Sequence, residues 1–281
     1  MDGGLRTHNA FQGKSAPHCP LVSIITIALN AEQWIERTIK SVIEQAYPNI
    51  EYLVIDGGSS DDTISIIRQY EDHIAYWRSE PDSGISAAFN KGLELATGDI
   101  IGLINADDWY EPDTVQKAVA ILQDQRVGIV HGMLQYWHAD GLESEMFEGN
   151  DTLLFKDMTV NHPTVFVRRQ IYEQLGGFCE DFFYAMDYEW LLRAKISDVG
   201  FFYLPECLAN MRLAGISDKN WKYARKEVAR AKNIHRPSIL NNVFYGWQLV
   251  KGTCRLWLER IGLQFFVRQY HRHISYQKKL K

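Results

Sequence analysis

Between Leu21 and Ile104, continuous apolar runs alternate with segments whose apolar residues recur every three or four positions. Leu21–Leu29, Glu51–Ile55, Ile74–Arg78 and Asp99–Ile104 read as strands, the first and last of them buried on both faces. The intervening segments read as helices. Ala31–Gln45 sets Ile35, Ile39, Val42 and Ile43 on one face, Asp61–Tyr70 follows with Ser59 or Ser60 as its N-cap, and Ser86–Ala96 is the third. This repeated β-α-β order predicts an α/β fold: a mostly parallel, doubly wound sheet with helices on both faces and right-handed crossovers. Beyond residue 126 the pattern loosens. Val127–Trp137 reads as a long strand, Asp140-Gly141 as a hairpin turn, and Gln170–Leu175 and Asp187–Ile196 as short helices around Gly176-Gly177.

Three strands end in acidic loops: Asp56-Gly-Gly-Ser-Ser-Asp61, Glu80-Pro-Asp82-Ser-Gly84 and Asn105-Ala-Asp107-Asp108. In an open α/β sheet, ligands bind beyond the carboxyl ends of the strands, so parallel neighbours would bring these loops to one crevice. Carboxylate oxygens favour hard ions such as Mg²⁺ or Mn²⁺, which complete their shells with water and substrate phosphate. The implied substrate carries a diphosphate.

Composition narrows the class. The chain has 281 residues, 46% of them hydrophobic and 12% aromatic, enough for one large α/β domain with appendages. Cys19, Cys179, Cys207 and Cys254 are widely spaced with no C-x-x-C pair, which argues against a zinc ribbon or a disulfide framework and fits a reducing, cytoplasmic setting. Residues 1–20 lack a basic head followed by an apolar run and read as a loose leader. The net charge of −5 hides an asymmetry: residues 219–281 carry 15 Lys/Arg against 2 acids, a net +13, which leaves −18 for residues 1–218. Within this basic tail, Val243, Trp247, Val250, Cys254, Trp257, Ile261 and Phe265 advance by threes and fours, with Phe266 and Tyr270 beyond. No stretch of 18 apolar residues occurs. Such a helix suits either the interface of an anionic membrane, at the inner face of the cytoplasmic membrane, or packing on the catalytic domain or a second subunit.

The order and spacing of several motifs are specific. Val22-Ser-Ile-Ile-Thr-Ile-Ala-Leu-Asn30, Val54-Ile-Asp-Gly-Gly-Ser-Ser-Asp61, Glu80-Pro-Asp-Ser-Gly84, Asn90-Lys-Gly92, Ala96-Thr-Gly-Asp99, Asn105-Ala-Asp-Asp108 and Asp187-Tyr-Glu-Trp-Leu-Leu-Arg193 resemble the successive signatures of family 2 glycosyltransferases, over about residues 21–213. The resemblance implies a GT-A fold whose nucleotide-binding half spans 21–108 and acceptor half 109–213, followed by a helical tail at 214–281. It further implies a nucleotide-diphosphate sugar donor, UDP before dTDP or GDP, together with Mn²⁺ or Mg²⁺ and inversion at the anomeric carbon. The acceptor would be a glycan or lipid-linked glycan of a bacterial exported polysaccharide. Nothing points to nucleic acid.

Carried onto this chain, the resemblance places Asp56 on the base, Asp82 near the nucleoside, and Thr26, Ala28 and Asn30 along the nucleoside at the first strand end. A turn-forming role competes for Asp56 and Asp82, and helix capping competes for Asn30. Asn90 and Lys91 are placed at the donor, Lys91 against phosphate or else exposed on its helix. Where many members carry Asp-x-Asp, this chain has Asn105-Ala106-Asp107, so Asp107 is the metal ligand, Asn105 and Ala106 line the donor, and Asp108 supports from behind. Asp187 matches the general base. Glu189, two residues on, points elsewhere on a helix and is the natural charge control. His162, Trp109 and Trp190 are acceptor-side candidates, with buried packing as the alternative for both tryptophans. Two rivals remain: a sugar-nucleotide-binding scaffold without catalysis, prompted by Asn105, and a nucleotidyltransferase, for which no glycine-rich triphosphate loop is present.

Overall fold

A computed structural model of the chain describes residues 1–138, 141–213, 220–263 and 279–280. Four parallel strands form its centre: β2 (Val22–Ala28), β3 (Ile50–Asp56), β4 (Tyr76–Ser79) and β5 (Ile100–Asn105), in the order β4-β3-β2-β5. All seven residues of β2 are buried, because both faces are covered. Alternate side chains go to opposite sides, as the period of a strand requires. Ile25 and Ile27 join the cluster containing Ala88 and Phe89 of α3 (Ile85–Leu95), while Val22, Ile24 and Ala28 join Ile35 and Ile39 of α1 (Ile35–Ile43). Gly92 lets α3 lie close on the sheet, since a Cβ there would sit 2.3 Å from Cγ2 of Ile25.

The helix α2 (Thr63–Gln69) links β3 to β4. Neither Ser59 nor Ser60 caps it. Instead Asp61 accepts from the Thr63 amide at 3.0 Å, while Ser59 is drawn back onto Asp56. The short strand β6 (Trp109–Tyr110) and α4 (Thr114–Ile121) follow.

The second half turns the sheet mixed. β9 (Phe166–Arg168) is antiparallel to both β5 and β7 (Ile129–Trp137), and β10 (Phe201–Arg212) runs parallel to β7 with two irregularities in register. β6 closes the far edge against β10, and β8 (Glu143–Phe147) forms a hairpin with β7. Gly141 in that turn has φ +83, whereas Asp140 lies outside the described residues. β11 (Lys279–Leu280) pairs with β8. The helices α5 (Arg169–Leu175) and α6 (Met186–Ile196) lie between β9 and β10.

Two expectations about the ends are corrected. Residues 1–20 do not lie loose on the body: β1 (Asp2–Gly3) pairs with β4, Arg6 forms an ion pair with the buried Glu51, and the Tyr47 hydroxyl donates to the Pro20 carbonyl at 2.6 Å. A buried carboxylate without a partner is costly, so Arg6 is fixed where Glu51 needs it. At the other end, α7 (Trp221–His235) packs on α6, and α8 (Ile239–Arg260) packs on α7. A boundary at residue 213 therefore cuts through a packed unit. Arg225 meets the buried Asp157 at 2.7 Å, and Gln248 donates to the same carboxylate at 2.7 Å.

Candidate functional site

The acidic strand ends lie side by side because β3, β2 and β5 are parallel neighbours, with Ala28 opposite Asp56 and Ile27 opposite Asn105. Each side chain has a local reason for its position. Asp56 is 1% exposed, and its carboxylate accepts from the amides of Gly58 and Ser59 and from the hydroxyls of Ser59 and Ser79. That is the turn-forming role. Asp82 likewise accepts from the Gly84 amide at 2.9 Å. Asn30 is exposed at φ +50, and its side chain accepts from the Ser60 amide, tying the end of β2 to the loop after β3.

Several donor-side candidates are engaged elsewhere. Thr26 is fully buried with its hydroxyl on that of Tyr52 at 3.0 Å, so it does not line a nucleoside. The Ala28 carbonyl accepts from the Gly57 amide, and the Ala106 amide donates to the Ile27 carbonyl. Asn90 bridges to Phe178, accepting from its amide at 2.8 Å and donating to its carbonyl at 2.9 Å, so it fastens α3 to the loop before α6. Lys91 pairs with Glu80 at 2.9 Å rather than waiting for phosphate.

The loop after β5 holds the strongest electrostatic demand. Burial raises the Asp107 carboxyl above its usual range, opposed by its own backbone amide and by the charges of His162 and Arg212. Burial and then the neighbouring Asp107 charge push Asp108 well above the carboxylate range. One Asp108 oxygen has no hydrogen-bond partner, and the other receives only a long 3.4 Å contact from the Asn105 amide besides the Arg212 backbone. An unsatisfied buried carboxylate beside a second one suits a cation, so Asp107 and Asp108 fit the divalent ion that the resemblance implies. Among the described residues no group of three or more His, Cys, Asp and Glu forms a metal cage. The protein would contribute part of a coordination shell.

Across from this loop, Asp187 occupies the first turn of α6. One of its oxygens accepts from the Tyr188 amide at 2.8 Å, and the other lies 3.7 Å from Nδ1 of His162. The charge of His162 also acts to lower the pKa of the Asp107 carboxyl. Its Nε2 is buried without a partner. Asp187 and His162 line a small cavity of about 20 Å³ together with Phe89, Met186 and Trp190.

For both tryptophans the structure favours the packing alternative, and Glu189 differs from its expected role. Trp190 is 1% exposed, stacks on Tyr172 at 4.3 Å and donates its indole N–H to the Gly176 carbonyl, so its face is not open to a sugar. Trp109 is buried beneath the Arg37 guanidinium, 3.4 Å from the ring centroid. Glu189 is no neutral control, being buried and bonded to Arg193 and to His235 of α7 at 2.7 Å. Arg193 is held by that ion pair and by the carbonyls of Leu175 and Gly177 rather than by phosphate.

Two residues were missed. Arg212, at the end of β10, stacks over Trp34 at 3.7 Å; burial lowers its pKa while Asp107 and Asp108 act to raise it. No sequence signal joins residue 212 to residue 107, because the contact is made only by closing the sheet. Glu227 of α7 accepts from the amides of Phe183, Tyr184 and Ala185, the three residues just before α6. The sequence did hold a signal for it. Glu227 is one of two acids in a stretch with fifteen bases.

Parallel strands ending in acidic loops, with a carboxylate at the start of a helix in the second half, bring the candidate residues to the carboxyl ends of the strands, where ligands of open α/β sheets bind. The chain belongs to glycosyl transferase family 2, whose model matches residues 23–187. It is 30% identical over 220 residues to the putative teichuronic acid biosynthesis glycosyltransferase TuaG of Bacillus subtilis, covering 74% of this chain and 85% of that one. It is 35% identical over 184 residues to the uncharacterized glycosyltransferase Rv1514c of Mycobacterium tuberculosis, covering 63% and 70%. The fold matches S. aureus TarS 1-349 in complex with UDP-GlcNAc with a TM-score of 0.61 at 18% identity, over 77% of this chain and 67% of that one. It also matches the mannosyltransferase PcManGT of Pyrobaculum calidifontis in complex with GDP-Man and Mn²⁺, with a TM-score of 0.62 at 21% identity, over 80% and 68%. The fold is GT-A, and the protein is a glycosyltransferase.

Proposed function

We propose that this glycosyltransferase moves a sugar, with inversion, from a UDP-sugar to a hydroxyl of a glycan or lipid-linked glycan in bacterial polysaccharide assembly. The observation that carries the reading is the pair of carboxylates, Asp107 in the loop after β5 and Asp187 at the start of α6, with His162 3.7 Å from Asp187 and acting electrostatically on Asp107. The acceptor oxygen attacks the anomeric carbon as the bond to the diphosphate breaks. Its proton passes to the Asp187 oxygen that is free of the helix amide. Attack on one face with departure from the other inverts the centre. Negative charge grows on the diphosphate, where Arg212 lies close enough to stabilise it. Mn²⁺ or Mg²⁺ held by Asp107 and Asp108, when bound, would act there as a Lewis acid. Asp56, Asp82 and Asn30 would frame the nucleoside through the loops they hold in shape. The similarity to TuaG, a putative teichuronic acid biosynthesis glycosyltransferase, supports the polysaccharide context.

The test is a panel of nucleotide sugars scored for thermal stabilisation and for nucleotide release with and without acceptor. UDP-sugars should stabilise the protein most in the presence of Mn²⁺, and release should follow. Stabilisation with no release for any donor and acceptor would favour the scaffold reading, for which Asn105 in place of a carboxylate speaks.

A further inference from the structure

The helical face read from the sequence of the tail can now be followed around α8. Its inward side is fastened: Asn241 donates to Asn233 of α7 at 2.9 Å, Lys232 lies 4.3 Å over the Phe244 ring, Gln248 reaches Asp157, and Gly252 sits against Trp221. The opposite side carries Leu240, Val243, Trp247, Val250, Trp257 and, just past its end, Ile261, all exposed. Val243 and Val250 are each 63% exposed and Trp257 61%, values unusual for side chains of this size. The stripe runs the length of a 22-residue helix, about 33 Å. The inner side is bonded to α7 and to Asp157, while the outer side stays exposed among the described residues.

Charge identifies the occupant. No acid occurs between Glu227 and Glu259, while Lys251 and Arg255 stand on α8 itself; of the other bases in that interval, Lys232 is turned inward onto the Lys156 carbonyl, Arg230 pairs with Asp181 and Arg236 lies over Phe155. Lys251 lies 5.3 Å over the Trp247 ring, the pairing of basic head and aromatic body suited to a headgroup boundary. A second copy of the chain would set two such basic helices against each other. A lipid surface of negative charge offers both an apolar layer and the opposite sign. Among the described residues no helix is long and apolar enough to cross a membrane, so the helix would lie along the surface.

We propose that α8 docks the protein on an anionic bilayer, with Val243, Trp247, Val250 and Trp257 in the headgroup boundary and Lys251 and Arg255 at the phosphate level. This surface is independent of the transfer chemistry. The same helices reach the site, since α7 carries both the inner contacts of α8 and Glu227, which holds the start of α6.

Full-length protein is sedimented with vesicles of phosphatidylglycerol and phosphatidylcholine, and with phosphatidylcholine alone. Binding should appear only with the anionic vesicles at low salt and fall roughly tenfold on raising salt to physiological strength. Val250→Asp and Val243→Asp, each on the outer face, should weaken it at least as much while leaving the thermal midpoint unchanged. If either variant unfolds, the lipid and salt comparison on the unaltered protein still decides. Protein remaining in the supernatant with anionic vesicles at low salt would overturn the proposal. So would a stable dimer at low salt that Val250→Asp dissolves, which would give the face to a second copy.

Discussion

The half from β2 to β5 and the half from β7 to α7 share one sheet but are assembled by different means. In the first, β2, β3 and β4 pair with a neighbour one crossover away while β5 comes in beside β2, and loops are held by their own residues, as Asp56 holds Gly58 and Ser59. In the second, contacts span the chain: Arg212 approaches Asp107, Asn90 fastens Phe178, and Glu227 grips Phe183 to Ala185. A binding surface built from local turns is formed with its strands. A carboxylate set by distant helices, as Asp187 is, depends on everything behind it.

The comparison breaks first at Asp187. Asp187→Asn should lower turnover by roughly 10²–10⁴-fold, the usual contribution of a general base, with the thermal midpoint unchanged. Near-normal turnover would remove Asp187 from the chemistry.

On the donor side, Asn105→Asp restores the second carboxylate and should tighten Mn²⁺-dependent UDP binding by roughly tenfold. Calorimetry with and without the ion measures it. Unchanged affinity would show that Asn105 does not face the ion.

Glu227 tests whether a tail helix positions the base. Glu227→Ala frees three amides before α6 and should lower turnover severalfold while UDP affinity holds, with Glu227→Gln recovering part of the loss. Equal losses of turnover and affinity would mean general destabilisation instead.

The smallest effect is on stability. The raised Asp107 and Asp108 carboxyls bind protons more tightly folded than unfolded. Their contribution is therefore fully present below the ordinary aspartate range and is lost as pH rises through the folded values. Asp108→Asn should raise the metal-free melting temperature by about 2–4 °C at neutral pH and by nothing near pH 3. A gain that is the same at both pH values would rule out the buried charge as its cause.

The two halves also differ in how much the sequence reveals. The four parallel strands and their helices were legible because burial on both faces leaves unbroken apolar runs such as Ile24-Ile25-Thr26-Ile27. β9, three residues long and flanked by two antiparallel partners, leaves no such trace. Site residues follow the same rule. Asp107 lies in the loop after β5 and Asp187 in the first turn of α6, as their motifs led one to expect, but Asn90 and Lys91, within an equally clear motif, turn out to be bonded to Phe178 and Glu80. Periodicity placed Trp247, Val250 and Trp257 on one face without saying that the face is exposed, since that depends on which side α7 occupies.

The central claim is that binding and chemistry reside on opposite halves of the cleft, and UDP affinity in the presence of Mn²⁺ tests it most directly in Asp107→Ala and Asp187→Asn side by side. The account predicts that Asp107→Ala loses the metal-enhanced part of the affinity while Asp187→Asn binds as the unaltered protein does. Equal affinity in Asp107→Ala and the unaltered protein, or a matching loss in both variants, would contradict it.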